Sequence, residues 1–318
     1  MKRLKKKDYK VFITDYIKKP SIEKKILKKN LINSAKKKDP EILLVWHHEC
    51  DEKYLSNFKN LKLIVRYGVG VDNIDLQYCK KKKIKVANTP DYGIDEVSDT
   101  ALSMIMYFIR SIGIYDNNIK KKFGGWQLDV NKAIKRTNEI NAGIIGFGRI
   151  GKRLSKKLFS IGFKCFYYDP NVSLKCNYSK KIHNLKNFIR KCDVISINCV
   201  LNKKTENLVD NKFLKTMKKN SILVNTARGK IIKDLELLKS YLLKNKNFCV
   251  GLDVFPIEPP SLKENLVKLW KNNLFNGRLL LNPHTAYFSS RSIISMREKA
   301  ANNVKSYLLN KTLKNRII

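Results

Sequence analysis

Short runs of apolar, β-branched residues alternate along this chain with segments whose apolar positions recur at three- and four-residue steps. In the first third, strands are predicted at residues 11–13, 42–46, 63–66 and 85–87, and helices at 21–29 and 53–57. A second alternating series runs from residue 142 to about 282, and a last helix is predicted at 290–309. Such alternation is typical of parallel sheets with crossover helices. The pattern therefore predicts two α/β domains.

A long helical segment at residues 96–120 separates the two series and carries apolar side chains on more than one face. That distribution predicts a helix buried between domains or subunits. A polar connection begins after Gly124, Gly125 and Trp126. No stretch approaches eighteen uncharged apolar residues, and the first apolar run contains Asp15, so neither a membrane span nor a signal peptide is predicted.

Charge is the unusual feature of the composition. The 318 residues include 66 Lys and Arg against 27 Asp and Glu, a formal net charge of +39. Only 12 of the basic residues are Arg, and the lysine runs at 5–7, 36–38, 80–83, 120–122 and 218–219 are dispersed. Proteins that recognise phosphate groups favour Arg and concentrate their positive charge on one secondary-structure element. We interpret most of the excess as solvated surface, with polyanion binding as the alternative.

The cysteines indicate the redox compartment. There are seven, an odd number, and no two have CxxC spacing. This usage predicts free thiols in a reducing, cytoplasmic environment, and no metal site.

One glycine motif predicts a dinucleotide site. Gly146, Gly148 and Gly151 have GxGxxG spacing between an apolar strand at 142–145 and a helix at 149–161. The first glycine permits a tight turn, the second lets the backbone approach a pyrophosphate, and the third lets helix and strand pack closely. The next predicted strand ends in Asp169, where an acid takes the ribose hydroxyls of NAD and repels a 2′-phosphate. NAD is favoured, although Arg149 and neighbouring lysines leave NADP open.

Three polar clusters each follow an apolar run, and they contain Arg228, Glu258 and His284. The carboxyl ends of parallel strands face one crevice, so these side chains are expected to converge. A guanidinium can bind the carboxylate of a 2-oxo acid in bidentate geometry, and an imidazole can protonate its carbonyl oxygen during hydride transfer. Glu258 would orient the imidazole and keep it protonated near neutrality.

Taken together, these motifs resemble the D-isomer-specific 2-hydroxyacid dehydrogenases, the family of D-3-phosphoglycerate, D-lactate and formate dehydrogenases. The similarity covers about residues 55–309. It rests on RYGVGVDNID (66–75), NTPDYGIDEVSDTAL (88–102), AGIIGFGRIG (142–151), NTARG (225–229), DVFPIEP (253–259) and NPHTA (282–286). The motifs PDYG and GFGRIG, together with the isolated Trp126, are most similar to the corresponding motifs of the branch related to the C-terminal-binding proteins.

The resemblance implies two Rossmann-like, doubly wound parallel-sheet domains. A discontinuous substrate domain would comprise residues 1–108 and 288–318, and an NAD-binding domain residues 109–287. It implies that Arg228, Glu258 and His284 are catalytic and that Arg66, Val69 and Gly70 bind substrate. The implied cofactor contacts are Gly146, Phe147, Gly148, Arg149, Ile150, Gly151, Asp169, Cys199, Thr226, Ala227 and Asp253. It also places the 96–120 helix in a homodimer interface.

The chain departs from the family pattern at two places. Asn198, Cys199, Val200 and Leu201 stand where the family usually has His, a small residue, Pro and Leu, and residues 263–271 suggest a longer loop. Cys199, close to the cofactor by resemblance, suggests sensitivity to oxidants. His47 and His48 are interpreted as structural, and His183 as exposed.

The implied activity is NAD-dependent interconversion of a small anionic D-2-hydroxy acid and its 2-oxo acid. D-3-phosphoglycerate and glyoxylate or hydroxypyruvate are the candidate substrates. The alternative is an NAD(H)-sensing scaffold like the C-terminal-binding proteins, with polyanion binding through the basic surface. Specific recognition of nucleic acid is disfavoured because Arg and aromatic residues are not interleaved.

Overall fold

The computed structural model describes residues 7–15, 17–35, 39–121, 126 and 134–318. The chain divides into two compact units, one comprising Met1–Gly93 with Phe288–Ile318 and the other Ile94–Tyr287. We call them the first and second units. The division falls at residues 93/94 rather than at the expected 108/109, because the helix that begins at Ile94 packs on the sheet of the second unit.

Eleven strands and eleven α-helices are present in the described part of the chain. The strands are β1 (Val11–Ile13), β2 (Ile42–Val45), β3 (Leu63–Arg66), β4 (Lys85–Ala87), β5 (Asn141–Ile145), β6 (Lys164–Tyr168), β7 (Lys180–Lys181), β8 (Val194–Ile197), β9 (Ile222–Asn225), β10 (Cys249–Leu252) and β11 (Leu279–Leu281). The helices are α1 (Ser21–Leu27), α2 (Glu52–Leu55), α3 (Leu76–Lys81), α4 (Ile94–Ile109), α5 (Ile112–Lys121), α6 (Arg149–Ser160), α7 (Leu185–Lys191), α8 (Asn211–Thr216), α9 (Leu235–Lys244), α10 (Asn265–Lys271) and α11 (Ser290–Leu308).

The first unit is built on a parallel sheet in the order β1-β2-β3-β4. Leu31 also makes a parallel bridge to Val11, so the chain first adds a partner to one edge of β1 and then turns back to the other. Alternate side chains of the strands face α1 and α11 on one side and α2 and α3 on the other. After α11 the chain returns to β4, where the Ile317 N–H donates to Val86 O at 2.8 Å.

The second unit contains a seven-stranded parallel sheet in the order β7-β6-β5-β8-β9-β10-β11. The chain starts in the middle at β5, builds outwards to β7, and then crosses to β8 on the other side of β5. Helices α4 and α6 cover one face of this sheet, and α7, α8, α9 and α10 cover the other. The structure confirms the α/β class. The sheet of the second unit has a topological switch point between β5 and β8, and sheets of this kind bind ligands at such a point.

Two expectations about helices are wrong. The single helix expected at 96–120 is two helices, α4 and α5, bent by 54° at a turn in which Ser111 has a positive φ of 54°. The apolar side chains of α4 pack against the sheet of its own unit, which accounts for most of the apolar surface noticed in the sequence. The expected longer loop at 263–271 contains α10, because Leu266 and Val267 are buried and hold it in place.

Within the described ranges, no single helix has the length and apolar character needed to cross a membrane; α4 and α5 pass that test only as a bent pair.

Candidate functional site

The glycine loop lies at the switch point, between β5 and α6. Gly146 has φ of +89°, and a Cβ there would lie 2.5 Å from the Cys199 backbone that follows β8. A Cβ at Gly151 would collide with the carbonyl oxygen of Gly146. Gly148 is different, because a Cβ there would meet no atom within 4 Å. Two glycines thus permit close packing inside the protein, and the third borders open space.

Asp169 follows β6 and holds the glycine loop. Its Oδ2 accepts a hydrogen bond from the Phe147 N–H at 2.8 Å, and its Oδ1 accepts the N–H groups of Asn171 and Val172 at 2.8 and 3.1 Å. The side chain of Phe147 is fully buried and stacks on Tyr167, with ring centroids 3.8 Å apart. Phe147 therefore has only its backbone available for the cofactor contact expected from the sequence.

The residues around the switch point fit a dinucleotide. Helix α6 starts beside Gly148 without a side-chain cap or an acidic residue in its first turn, so its terminal N–H groups suit an anion. Arg149 is exposed and Ile150 half-buried at this helix start. At the ends of the neighbouring strands β8 and β9, Asn198 Nδ2 and Thr226 Oγ1 are buried and lack a hydrogen-bond partner among the described residues. Buried polar atoms of this kind call for a ligand or an ordered water.

Arg228 lies on a turn held by the strand before it. Asn225, the last residue of β9, is fully buried; its Oδ1 accepts the Ala227 N–H at 3.0 Å and its Nδ2 donates to Arg228 O at 2.9 Å. A Cβ on Gly229 would overlap the backbone of Phe255 and Pro256. The close approach that this glycine allows brings the Arg228 turn against the chain segment leading to Glu258.

Glu258 and His284 form the closest polar pair of the predicted site. The Oε2 atom of Glu258 lies 2.6 Å from Nδ1 of His284, and its Oε1 accepts the Phe255 N–H at 2.8 Å. Partial burial tends to raise the pKa of Glu258, but these hydrogen bonds and the charges of His284 and Arg228 outweigh it and lower the pKa. The carboxylate is therefore ionised at neutral pH.

Asp253 organises the turn that carries His284. Its Oδ1 accepts three hydrogen bonds, from Asn282 Nδ2 at 2.7 Å and from the N–H groups of Thr285 and Ala286 at 2.9 and 3.0 Å, while its backbone oxygen accepts the His284 N–H at 2.8 Å. His284 itself has φ of +53°. Burial raises the pKa of Asp253 although these donors act in the opposite direction. The geometry shows Asp253 shaping this turn, a role that the sequence reasoning did not anticipate.

Cys199 does not have the character of a reactive thiol. Burial raises its pKa to about 11, so the thiolate that oxidants attack is scarce at neutral pH. The expected oxidant sensitivity is not supported.

Among the described residues, no group of three or more His, Cys, Asp and Glu side chains is placed to bind a metal ion.

The substrate-binding residues expected near residue 70 lie in the first unit, after β3. Val69 is exposed, and its carbonyl oxygen accepts Asn88 Nδ2 at 2.6 Å. The Gly68 N–H donates to Thr89 Oγ1 at 2.7 Å. The loop containing Arg66, Val69 and Gly70 is thus fastened to the residues that follow β4. The motif NTP at 88–90 was noticed in the sequence, but its anchoring role was not predicted.

Comparison with known proteins agrees with this geometry. Residues 102–286 match the model of the D-isomer specific 2-hydroxyacid dehydrogenase NAD binding domain. The chain is 35% identical over 205 residues to a hydroxypyruvate reductase of Thermotoga maritima, covering 64% of this chain and 65% of that protein. It is 31% identical over 286 residues to a glyoxylate reductase of Thermococcus litoralis, covering 87% and 82%.

A solved structure shows the same architecture over nearly the whole chain. The D-lactate dehydrogenase of Aquifex aeolicus, complexed with NAD and lactic acid, superposes with a TM-score of 0.82 at 26% identity, covering 96% of this chain and 98% of that one. The chain belongs to the D-isomer specific 2-hydroxyacid dehydrogenase family, as its motifs predicted. It is thus an oxidoreductase whose second unit contains the NAD-binding domain.

Proposed function

We propose that this protein uses NADH to reduce a short 2-oxo acid, glyoxylate or hydroxypyruvate, to the corresponding 2-hydroxy acid, which has the D configuration where C2 is chiral. The relatives of highest identity reported above are named for these two acids, which supports the choice over the phosphorylated acid of the D-3-phosphoglycerate dehydrogenase reaction. One 2-oxo acid, one NADH and one proton yield one 2-hydroxy acid and one NAD⁺. When bound, NADH supplies the hydride to C2 of the acid.

The 2.6 Å pair of Glu258 and His284 carries the proposal. An ionised carboxylate only accepts hydrogen bonds, so Nδ1 of His284 must bear a hydrogen. The other ring nitrogen, Nε2, then exchanges the reaction proton with the substrate oxygen. Glu258 fixes the tautomer and the ring orientation of His284, so that Nε2 faces the substrate oxygen to which the proton passes during reduction.

Arg228 binds the substrate carboxylate in this proposal. Its backbone is fixed by Asn225, and Gly229 brings its turn against the Glu258 segment. A planar guanidinium matches a carboxylate with two parallel hydrogen bonds. From the family resemblance, we assign further contacts to the substrate carboxylate to the backbone of Val69 and Gly70 and to Arg66.

The cofactor contacts are proposed from the fit at the switch point. Gly148, Arg149 and Ile150 would meet the pyrophosphate at the start of α6, and Asp169 the adenosine ribose. Remaining contacts are assigned to the loops after β8, β9 and β10, at Cys199, Thr226, Ala227 and Asp253, while Gly146, Phe147 and Gly151 shape the turn. We propose NADH rather than NADPH, since a 2′-phosphate would meet the Asp169 carboxylate.

Replacing His284 tests the mechanism. In His284→Ala we expect kcat with glyoxylate to fall by about 10²–10⁴-fold, the range attributed to a positioned acid–base group. NADH binding, followed by fluorescence, should stay within about threefold. His183→Ala, an exposed histidine of the same unit, is the matched control and should leave both values unchanged. Full turnover by His284→Ala would refute the assignment.

A panel of 2-oxo acids tests the substrate and the rival function. We expect the highest kcat/KM with glyoxylate or hydroxypyruvate and NADH, and lower values with 3-phosphohydroxypyruvate, pyruvate or NADPH. An NAD(H)-sensing scaffold would bind NADH tightly and reduce none of these acids. Preference for 3-phosphohydroxypyruvate would reassign the substrate and leave the hydride-transfer mechanism intact.

We further propose a cytoplasmic homodimer. All seven cysteines are free, which suits a reducing compartment. On α5, Ile112 and Ile119 remain 52% and 38% exposed, offering apolar area for a partner. Analytical ultracentrifugation should show a dimer for the wild type and a weaker one for Ile112→Glu/Ile119→Glu.

A further inference from the structure

A basic cavity in the first unit lies where the N-terminal stretch, β4 and the segment after α11 meet. Its volume is about 330 Å³, and its wall includes Lys7, Lys85, Lys311 and Arg316 around the ring of Tyr307. No acidic side chain contributes to this wall, as far as the structure describes the chain. We call it the Tyr307 cavity.

Two of its lysines are fixed in place. Lys7 Nζ lies 4.4 Å and Lys85 Nζ 5.3 Å from the centroid of the Tyr307 ring, and the Lys7 N–H donates to Leu308 O at 2.8 Å. Both side chains are half-buried, and Tyr307 is only 8% exposed. Most of the lysines that the structure describes, in contrast, are exposed. Attraction to the aromatic face therefore holds these two ammonium groups against the same wall.

Three of the five other half-buried lysines in the described part of the chain have carboxylate partners, while Lys181 donates to Val172 O at 2.7 Å and Lys152 makes no salt bridge to a described residue. Lys157 binds Asp99 at 2.6 Å, Lys218 binds Asp193 at 2.9 Å, and Lys239 pairs with Glu236. Neither Lys7 nor Lys85 makes a salt bridge to any described residue. The Tyr307 cavity differs from the general basic surface because it brings together, on one aromatic ring, two partly desolvated lysines that no described carboxylate neutralises.

Electrostatic repulsion between the ammonium groups of Lys7 and Lys85 favours binding of an anionic ligand in the cavity. Since both ammonium groups are measured from one ring centroid, they are less than about 10 Å apart, comparable with the Debye length at 0.1 M salt. Lys311 and Arg316 add two further charges to the same wall, and Arg316 Nε donates to Ile318 O at 2.7 Å. A monovalent anion would compensate only one of the three lysine charges, while the Arg316 guanidinium already has the oxygen of Ile318 as a partner.

We propose that the Tyr307 cavity binds a small anion that carries two or more linked phosphate groups. Lysine ammonium groups bind phosphate oxygens as point charges, and the guanidinium group adds hydrogen bonds of defined direction. The linked phosphates can come from an inorganic oligophosphate or from the tail of a nucleotide. The residues lining this cavity include none of the glycine loop and none of those assigned to catalysis.

Calorimetric titration of the full-length protein with tripolyphosphate or ATP, at 0.15 M salt, tests the proposal. Saturating NADH keeps the glycine loop occupied, so that the titrant does not bind there. We expect one site for at least one of these titrants, with orthophosphate binding at least about tenfold more weakly; tighter binding of ATP would identify the nucleotide as the source. In Lys7→Gln/Lys85→Gln the Kd should rise by at least about tenfold per lost charged contact.

A charge-matched control separates a built site from the net charge of +39. Lys24→Gln/Lys59→Gln removes two exposed lysines of the same unit and should change the Kd by less than about twofold. A second cavity variant, Lys311→Gln/Arg316→Gln, alters only exposed positions and should also weaken binding. The circular dichroism spectrum and the unfolding midpoint of each variant, compared with those of the wild type, report whether it is folded.

Three results would overturn the proposal. They are no saturable binding of tripolyphosphate or ATP, equal weakening by the control and cavity variants, and tighter binding of double-stranded DNA that the cavity variants do not affect. The last would assign the positive charge to nonspecific polyanion binding.

Discussion

The Asp253→Ala variant tests whether the turn carrying His284 depends on one buried carboxylate. The substitution removes the shared acceptor of three donors, Asn282 Nδ2 and the N–H groups of Thr285 and Ala286. Asn282 Nδ2 keeps a second acceptor, Thr285 Oγ1, at 3.1 Å. An unmet buried donor costs about 1–3 kcal/mol, and two of these three lie in partly exposed surroundings. Removing a carboxylate whose pKa is raised by burial returns part of that cost. We estimate a net loss of about 3 kcal/mol in unfolding free energy.

The same loss has a catalytic consequence. His284 adopts a left-handed backbone conformation that costs a non-glycine residue about 1–2 kcal/mol and persists only while its surroundings enforce it. Once the turn relaxes, the imidazole is no longer held beside Glu258. If the turn that positions His284 becomes about 3 kcal/mol less stable than its alternatives in Asp253→Ala, the population of active enzyme and hence kcat fall by about 10²-fold.

Denaturant unfolding and steady-state kinetics measure the two effects in parallel. Asp234→Ala is the matched control, because that exposed Asp accepts a hydrogen bond from the Leu237 N–H at the start of α9 and from no other described residue. It should cost about 1 kcal/mol and leave kcat unchanged. Asp253→Ala with kcat within about threefold of the wild type would refute the assigned role.

Three further predictions concern the same unit. Gly148→Ala should fold normally but weaken NADH binding about tenfold or more, because its Cβ enters the open space at the helix start that the pyrophosphate would occupy. Gly151→Ala should fail to fold stably, because its Cβ would collide with Gly146 O. Equal NADH affinity in Gly148→Ala and the wild type would contradict the proposed cofactor position. Asn225→Ala should raise KM about tenfold or more through misplacement of Arg228, and an unchanged KM would contradict it. Because the pKa of Glu258 is lowered in the folded state, its ionised carboxylate stabilises the fold fully above the unfolded pKa of about 4.3. This contribution is lost as the pH falls through the folded pKa. The difference in unfolding free energy between wild type and Glu258→Gln should therefore decrease as the pH is lowered through that range.

Strand positions were predictable because buried parallel strands are continuous apolar runs ending at turn residues. Val11–Ile13, Leu63–Arg66 and Lys85–Ala87 lie where the pattern placed them. The two-residue strand Lys180–Lys181 carries no apolar signal. Just after the break between α4 and α5, the Tyr107 ring occupies the space that a Cβ on Gly113 would need. Contacts of this kind are not encoded in local periodicity.

The residues of the candidate site also divide into those whose roles the sequence predicted and those whose roles it did not. Strand-end placement made the convergence of Glu258 and His284 predictable, since parallel strands deliver their carboxyl ends to one edge. The supporting residues were not predicted in their roles. Asn225, Asp253 and Gly229 act through hydrogen bonds and backbone approach between segments distant in sequence, and their only sequence signal was membership of NTARG and DVFPIEP.

Transfer of label from the cofactor to the substrate tests the central claim most directly. The full-length protein would be incubated with glyoxylate and NADH carrying deuterium at both C4 positions, and the glycolate analysed by mass spectrometry. We predict one deuterium on C2 per molecule of NADH consumed, and a rate at least about 10²-fold lower with His284→Ala. NADH that binds to the wild type without labelled product from glyoxylate or hydroxypyruvate would contradict the account.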